Sequence, residues 1–241
     1  ITPYPCLGHI KARLQYFKKR GVDGVFYNGS GYDYASFDDV QTYVVAQLML
    51  NTDADITQLV RHYYGKAYPV TAPVYADYYL SLEDKAQKAT LNPYSGIGEA
   101  VRSYLDGAAL DAFWHKLDGG KGKAIDTERR NINEMLTALA FTRLELLRLK
   151  PAAPSAATKG ELLSLLSAHT AFKDLANYRE SFGEVDQYIS EWRTSSPWLA
   201  GNGNKLRGAT LTSTTKLDPE YADLSVLTDG KAGFASDYHT G

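Results

Sequence analysis

At 241 residues, with 44% hydrophobic and 22% charged side chains, the chain is long enough for one large or two small domains and has the composition of an ordinary globular protein. A net charge of -2 offers no basic face to nucleic acid or anionic lipid, and no apolar run approaches the roughly 18 residues that insertion into a bilayer requires. The one cysteine, Cys6, excludes an internal disulfide framework and any cysteine-based metal cluster. Between Pro5 and Leu7 it reads as a small apolar residue and not as a nucleophile.

The opening Ile1-Thr2-Pro3-Tyr4-Pro5 reads as an internal loop, so the chain is expected to be a piece of something longer. An amphipathic segment from Ile10 to Arg20 predicts a helix, and Val22, Val25, Phe26 and Tyr27 form a short apolar run that reads as a buried strand. A helix followed by such a strand is half of a βα unit of a parallel sheet, whose ligands sit on the loops after the strands. Here that loop, Asn28 to Tyr34, carries amide, hydroxyl, carboxylate and phenol groups on a glycine frame, which suits sugar hydroxyls. Tyr27, Asn28, Ser30, Asp33 and Tyr34 are therefore the candidate substrate-binding residues. Asn28-Gly29 is equally a turn signal, so a plain solvated connection stands beside the site reading.

A series of capped helices is predicted next. Ser36 with Asp39 resembles a capping box, ahead of a stripe of Val40, Tyr43, Val44 and Leu48. Asp55 caps a helix with Ile56, Leu59, Val60, Tyr63 and Tyr64, stopped by Gly65 and Pro69. Thr71 and Pro73 open a third, with Tyr75, Tyr78, Tyr79 and Leu82 on one face. Ser95 precedes a short helix, and Leu110, Phe113, Trp114 and Leu117 make another. Gly119 to Lys123 reads as a flexible connection and lacks the spacing of a phosphate-binding loop. The longest helix is predicted from Asp126 to Lys150, before Pro151. Thr158 with Glu161 forms a second capping-box pattern, opening a helix through Phe172, and Val185, Tyr188, Ile189 and Trp192 mark the last. Short loops between these helices predict antiparallel neighbours, with strand confined to the two ends of the chain. From Ser195 the composition turns to Gly, Ser, Thr and Asn. Ala209 to Ser213 alternates like a strand, and the tail is too short for a β-sandwich of about 100 residues.

Tyrosine is the unusual component, 18 against 8 Phe and 3 Trp. It suits wet clefts and sugar faces as well as cores, although most of these tyrosines fall at helical spacing and read as packing residues.

Two stretches carry a family resemblance. Tyr4-Pro5-Cys6-Leu7, Ile10 to Leu14 and Gly21 to Gly31, together with Tyr43 to Tyr68 and its Ala46-Gln47-Leu48-Met49-Leu50-Asn51-Thr52-Asp53-Ala54-Asp55 core, resemble a bacterial family known as domain of unknown function 4838. Members look like glycoside hydrolases in which a (β/α)8 barrel is followed by a helical domain, an arrangement similar to α-glucuronidases and β-hexosaminidases. Leu227-Thr228-Asp229-Gly230-Lys231 with Tyr238-His239-Thr240-Gly241 resembles the opening of a discoidin-like (coagulation-factor C-type) module, often a carbohydrate binder. The resemblance implies a mainly α chain: an antiparallel helical bundle, preceded by a βα fragment of a barrel and followed by a short β or irregular tail. It divides the chain at residues 1–35, 36–194 and 195–241, and has the helical domain packing on an upstream barrel of the same protein.

Glycoside hydrolysis usually needs two carboxyls flanking the bond. On the loop only Asp33 is placed to join such a pair, and it reads equally as a turn former with the pair lying upstream. Asp38 and Asp39 read as first-turn acids favourable to the helix dipole. The five histidines, His9, His62, His115, His169 and His239, are too scattered for a zinc site. Ser30 between Gly29 and Gly31 lacks the full nucleophile-elbow spacing. No cofactor and no metal is expected. The function expected is the carboxyl-terminal part of a secreted, periplasmic or surface glycoside hydrolase acting on complex glycans. The chain would supply one wall of the sugar site and be inactive alone. The alternative is a non-catalytic helical carbohydrate-binding or scaffold module.

Overall fold

Apolar stripes at helical spacing, closed by caps and glycines, become nine helices among the described residues of this computed structural model, which are 1–28, 33–90, 97–150, 154–179, 182–194 and 209–214. The helices are α1 (Leu7–Lys19), α2 (Asp38–Leu50), α3 (Ile56–Ala67), α4 (Ala72–Gln87), α5 (Ile97–Ser103), α6 (Gly107–Lys121), α7 (Asp126–Arg148), α8 (Ala156–Leu166) and α9 (Val185–Thr194). The architecture is the mainly α, antiparallel bundle that the spacing predicts. Helices α1 to α4 pack in succession and α1 returns onto α4, while α6 links α4 to α7 and α7 carries α8.

The predicted stripes form the core. Val40, Val44, Leu48, Val60, Tyr64, Tyr75, Tyr79 and Leu82 join Leu110, Leu117, Ile132 and Leu139 in one buried cluster. Tyrosine supplies much of its volume: Tyr64 stacks on Tyr75 at 5.1 Å and Tyr78 on Phe113 at 4.2 Å. Such ring pairs add to the area they bury.

Two buried glutamates fix the bundle in a way that no local pattern announces. Glu83 of α4 accepts hydrogen bonds from the amides of Cys6 (2.9 Å), Leu7 (2.9 Å) and Gly8 (3.3 Å), and from the Tyr79 hydroxyl (2.6 Å). It therefore caps the amino end of α1 from another helix and places a carboxylate at the positive pole of that helix dipole. Glu128 of α7 does the same for α4, accepting from the amides of Val70 and Thr71 and from the Thr71 hydroxyl at 2.7 Å.

Asp55 caps α3 as predicted, accepting from the Gln58 amide at 2.9 Å. Elsewhere the sequence-based expectations need correction. Ser36 and Asp39 form no capping box: the Ser36 hydroxyl donates to the Ile1 carbonyl, and Phe37 occupies the cap position with φ 71°. Helix α8 starts before Thr158, because Ser155 accepts from the Thr158 amide at 3.1 Å. That helix does not run on to Phe172 but tightens into a 3-10 turn at Ser167–Ala171. Gly119 and Gly120 belong to α6, not to a flexible loop; a Cβ on Gly120 would lie 2.7 Å from the Thr71 methyl, so glycine lets α6 approach the start of α4.

Strand is also not confined to the chain ends. A hairpin of β1 (Asn177–Arg179) and β2 (Phe182–Glu184) precedes α9, with Asn177 opposite Glu184. Gly183 at φ +76° permits it, since a Cβ there would meet the Tyr178 ring at 2.8 Å. That ring stacks on Phe141 at 5.0 Å.

At the amino end, Gly21 closes α1 at φ +74°, with the Gly21 amide bonded to the Lys18 carbonyl and Val22 to Phe17. Residues 22–28 then form no ladder with any described residue, and Val22, Val25 and Phe26 are 47%, 42% and 89% exposed. The burial expected of a strand is thus not supplied within the described residues. Residues 209–214 contain no strand; Ser95 and the motifs after residue 214 lie outside the described residues.

Candidate functional site

Where the segment after α1 turns into α2, it meets α3, α7 and the turn before β1 across an open cleft of about 500 Å³. Asp33 and Tyr34 enter it from the segment, and Asp38 and Asp39 from the first turn of α2. Tyr63 and Tyr68 enter from α3 and its end, Asn131 and Glu134 from α7, and Asp174 from the turn. Asn131 and Glu134 are one helical turn apart, so both project from the same face of α7.

The centre of this arrangement is Asp39. Its Oδ2 accepts hydrogen bonds from the Tyr63 hydroxyl at 2.9 Å and the Tyr68 hydroxyl at 2.8 Å, while Oδ1 accepts from the Val40 amide at 2.8 Å. Both phenols are pushed above their ordinary range, first by burial and then by the Asp39 charge, so they stay protonated and hold that carboxylate in place. Phe37 sets the chain's entry into α2. It is the one non-glycine residue at positive φ among the described residues, and its buried ring lies 5.1 Å from Tyr79 and 5.9 Å from Phe113. A bulky residue held in that region beside a cleft is the kind of local strain that packing must enforce.

Of the sequence-predicted residues, Asp33 and Tyr34 line the cleft. Asp33 Oδ1 accepts from Asn177 Nδ2 at 3.1 Å. The Tyr34 amide donates to the Asp174 carbonyl at 2.6 Å, and its hydroxyl reaches Met135 Sδ at 3.6 Å. Burial, then the Asp39 charge, pushes the Tyr34 phenol well up. Tyr27 is half-buried against the main core and Asn28 is exposed, both outside the cleft lining; Ser30 lies outside the described residues. The sequence reading missed Asp39, which passed for a dipole acid, and Tyr63, which passed for a packing residue. Asn131, Glu134 and Asp174 had no signal beyond lying off the apolar seam.

Five carboxylates line this cleft, and no Lys, Arg or His lines it among the described residues. The Glu134 carboxyl is raised above the ordinary value of 4.5 by burial first and by Asp174 next, with Arg130 opposing and Asp39 adding. A carboxyl whose folded pKa is raised binds more protons in the native state, so stability falls as pH rises from about 4.5 through the folded pKa. Glu134→Gln is therefore expected to raise the melting temperature at pH 7 and to change it little at pH 4, where both states are largely protonated. Thermal unfolding of both proteins at the two pH values checks this; equal shifts at both would show that charge is not the cause.

Other chemistry is poorly supported. The Cys6 thiol is pushed up to about 12 by burial, then by Glu83 and Asp38, which makes it a poor nucleophile at neutral pH. Among the described residues no group of three or more His, Cys, Asp or Glu converges to hold a metal ion, and no helix is long and apolar enough to cross a membrane.

No curated protein and no solved structure matches the chain. Residues 1–81 match a protein family described as Domain of unknown function (DUF4838), a span that supplies Asp33, Tyr34, Asp39, Tyr63 and Tyr68 to the cleft and ends within α4.

Proposed function

We propose that this chain is the carboxyl-terminal part of a secreted glycoside hydrolase acting on complex glycans, and that the cleft around Asp39 is one wall of its sugar site. The observation that carries the reading is the convergence of carboxylates, phenols and an amide from five parts of the chain on one open cavity. Carboxylate oxygens accept from sugar hydroxyls, and tyrosine rings cover the apolar faces of pyranoses. The exposed run Val22, Val25 and Phe26, with no ladder partner among the described residues, supports a neighbouring domain on that side, in this reading the upstream barrel. Catalysis needs two carboxyls about 5 to 10 Å apart across the bond. In this proposal the upstream domain supplies them, and the discoidin-like tail adds a second carbohydrate-binding element.

Two assays test the reading. The chain alone is expected to release nothing from a panel of aryl glycosides and uronides; reproducible release abolished by Asp33→Asn would place the catalytic pair here instead. In the longer protein that carries the barrel, Asp33→Ala is expected to weaken glycan affinity or turnover, whereas Asn28→Ala, outside the cleft lining, is expected to change neither. Unchanged values for Asp33→Ala would reduce the segment to a connection. A non-catalytic binding module is the second reading. It is favoured by the full engagement of Asp39 in hydrogen bonds, and it applies if glycans bind the longer protein but no panel substrate turns over.

A further inference from the structure

We propose that the outward face of α1 is a glycan-binding surface separate from the cleft, and that it takes an acidic polysaccharide, one bearing carboxylate or sulfate groups. His9, Arg13, Tyr16 and Arg20 fall at i, i+4, i+7 and i+11, so they share one stripe, opposite the buried Leu7 and Leu14. All four are exposed, with Lys19 beside them. The chain as a whole carries a net charge of -2, yet α1 holds no acid. Among the described residues none of His9, Arg13, Lys19 and Arg20 is paired with a carboxylate. Acids meet α1 elsewhere: Glu83 at its buried amino end, and Asp53 beside Lys18 on the far side of the helix. The helix dipole favours Lys18, Lys19 and Arg20 in and after the last turn, but it accounts neither for Arg13 in the middle of the helix nor for an exposed aromatic.

That aromatic is the second observation. Tyr16 keeps 54% of its surface in solvent, and the Arg20 guanidinium lies over its ring, 5.3 Å from the centroid. The contact holds the guanidinium against the helix surface while its N–H donors stay without a partner among the described residues. Arg13 and Arg20 stand about 10 Å apart along the axis, with Tyr16 between them. A guanidinium fork grips the paired oxygens of an oxyanion, and a tyrosine ring covers the apolar face of a pyranose. A row of cation, ring and cation is thus complementary to a saccharide whose rings carry anionic substituents. Nucleic acids and anionic bilayers present a broad field of negative charge, which one narrow stripe on a chain of net charge -2 answers poorly.

The test is calorimetric titration of the chain at low salt with oligogalacturonate for the carboxylate class and a heparin oligosaccharide for the sulfate class. A neutral cello-oligosaccharide and a short single-stranded RNA serve as comparisons. At least one acidic oligosaccharide is expected to bind about tenfold or more tightly than either comparison. The doubly substituted Arg13→Gln, Arg20→Gln protein, its folding checked by circular dichroism, is expected to lose about tenfold in that affinity, and Tyr16→Ala about threefold. Lys66→Gln, Lys116→Gln removes the same charge from exposed positions on α3 and α6, and is expected to stay within about twofold of the parent. Equal loss in the lysine pair, or full affinity in Tyr16→Ala, overturns the proposal in favour of general charge attraction. RNA binding as tight as that of the acidic oligosaccharides overturns it too, as does failure of both acidic oligosaccharides to bind. None of these outcomes touches the cleft, whose lining shares no residue with this stripe.

Discussion

Glu83→Ala is expected to destabilise the protein by about 3 kcal/mol or more, because it strips the acceptor from several buried or part-buried donors at once. Three of these donors are the first amides of α1 and the fourth is the Tyr79 hydroxyl. An amide end that loses its acceptor inside a packed interface is costly to leave unpaired. Glu83→Gln separates hydrogen bonding from charge. Its remaining carbonyl oxygen can keep the Cys6, Leu7 and Tyr79 bonds but loses the charge at the α1 amino end, so a smaller loss of about 1 to 2 kcal/mol is expected. Urea unfolding of the three proteins decides it. If the alanine and glutamine variants lose the same amount, the carboxylate charge is the main contributor and the count of bonds is not. The consequence reaches the cleft, since α1 leads into the segment that carries Asp33 and Tyr34.

Phe37 offers a more discriminating comparison. Phe37→Ala removes a buried ring from a nest of Tyr78, Tyr79 and Phe113, a loss expected to cost about 3 to 5 kcal/mol. It also leaves a Cβ in the left-handed region, where φ is 71°. Phe37→Gly loses the same ring but sheds that penalty, worth about 1 to 2 kcal/mol. The glycine variant is therefore expected to be the more stable of the two, by more than the ordinary preference for glycine over alanine at a cap. Chemical denaturation measures both, and an alanine variant equal to or above the glycine variant would show that Phe37 does not hold this backbone in the isolated fold.

The difference between what the sequence revealed and what it hid follows from the range of the interactions. The i, i+3, i+4 stripes of α3, α4 and α7 are short-range, so the bundle was legible, as was Asp55, whose cap reaches three residues ahead. The false capping boxes show the limit. Ser36 and Asp39 have the right types at the right spacing, yet both side chains bond to distant partners, Ile1 in one case and Tyr63 and Tyr68 in the other. Glu83 and Glu128, read locally, are unremarkable helix acids; their roles depend on which helix starts beside them. The hairpin rests on the fit of Gly183 to the Tyr178 ring, which three-residue strands do not advertise. The same holds at the cleft. Asp33 and Tyr34 were visible as part of a polar loop, whereas Asp39, Glu134 and Asp174 acquire meaning only when α2, α7 and the turn before β1 come together.

The central claim is that the cleft around Asp39 receives a glycan, and residue-resolved titration tests it most directly. With tyrosine rings isotopically labelled, NMR spectra of the chain during addition of neutral oligosaccharides separate the cleft phenols from the rest. The Tyr63 and Tyr68 signals are expected to shift together and saturably, because both hydroxyls bond Asp39 at the cleft wall. Tyr16, exposed on α1 and absent from the cleft lining, is expected to stay in place. Saturable shifts at Tyr16 with none at Tyr63 or Tyr68, or no saturable shift with any glycan, would contradict the account.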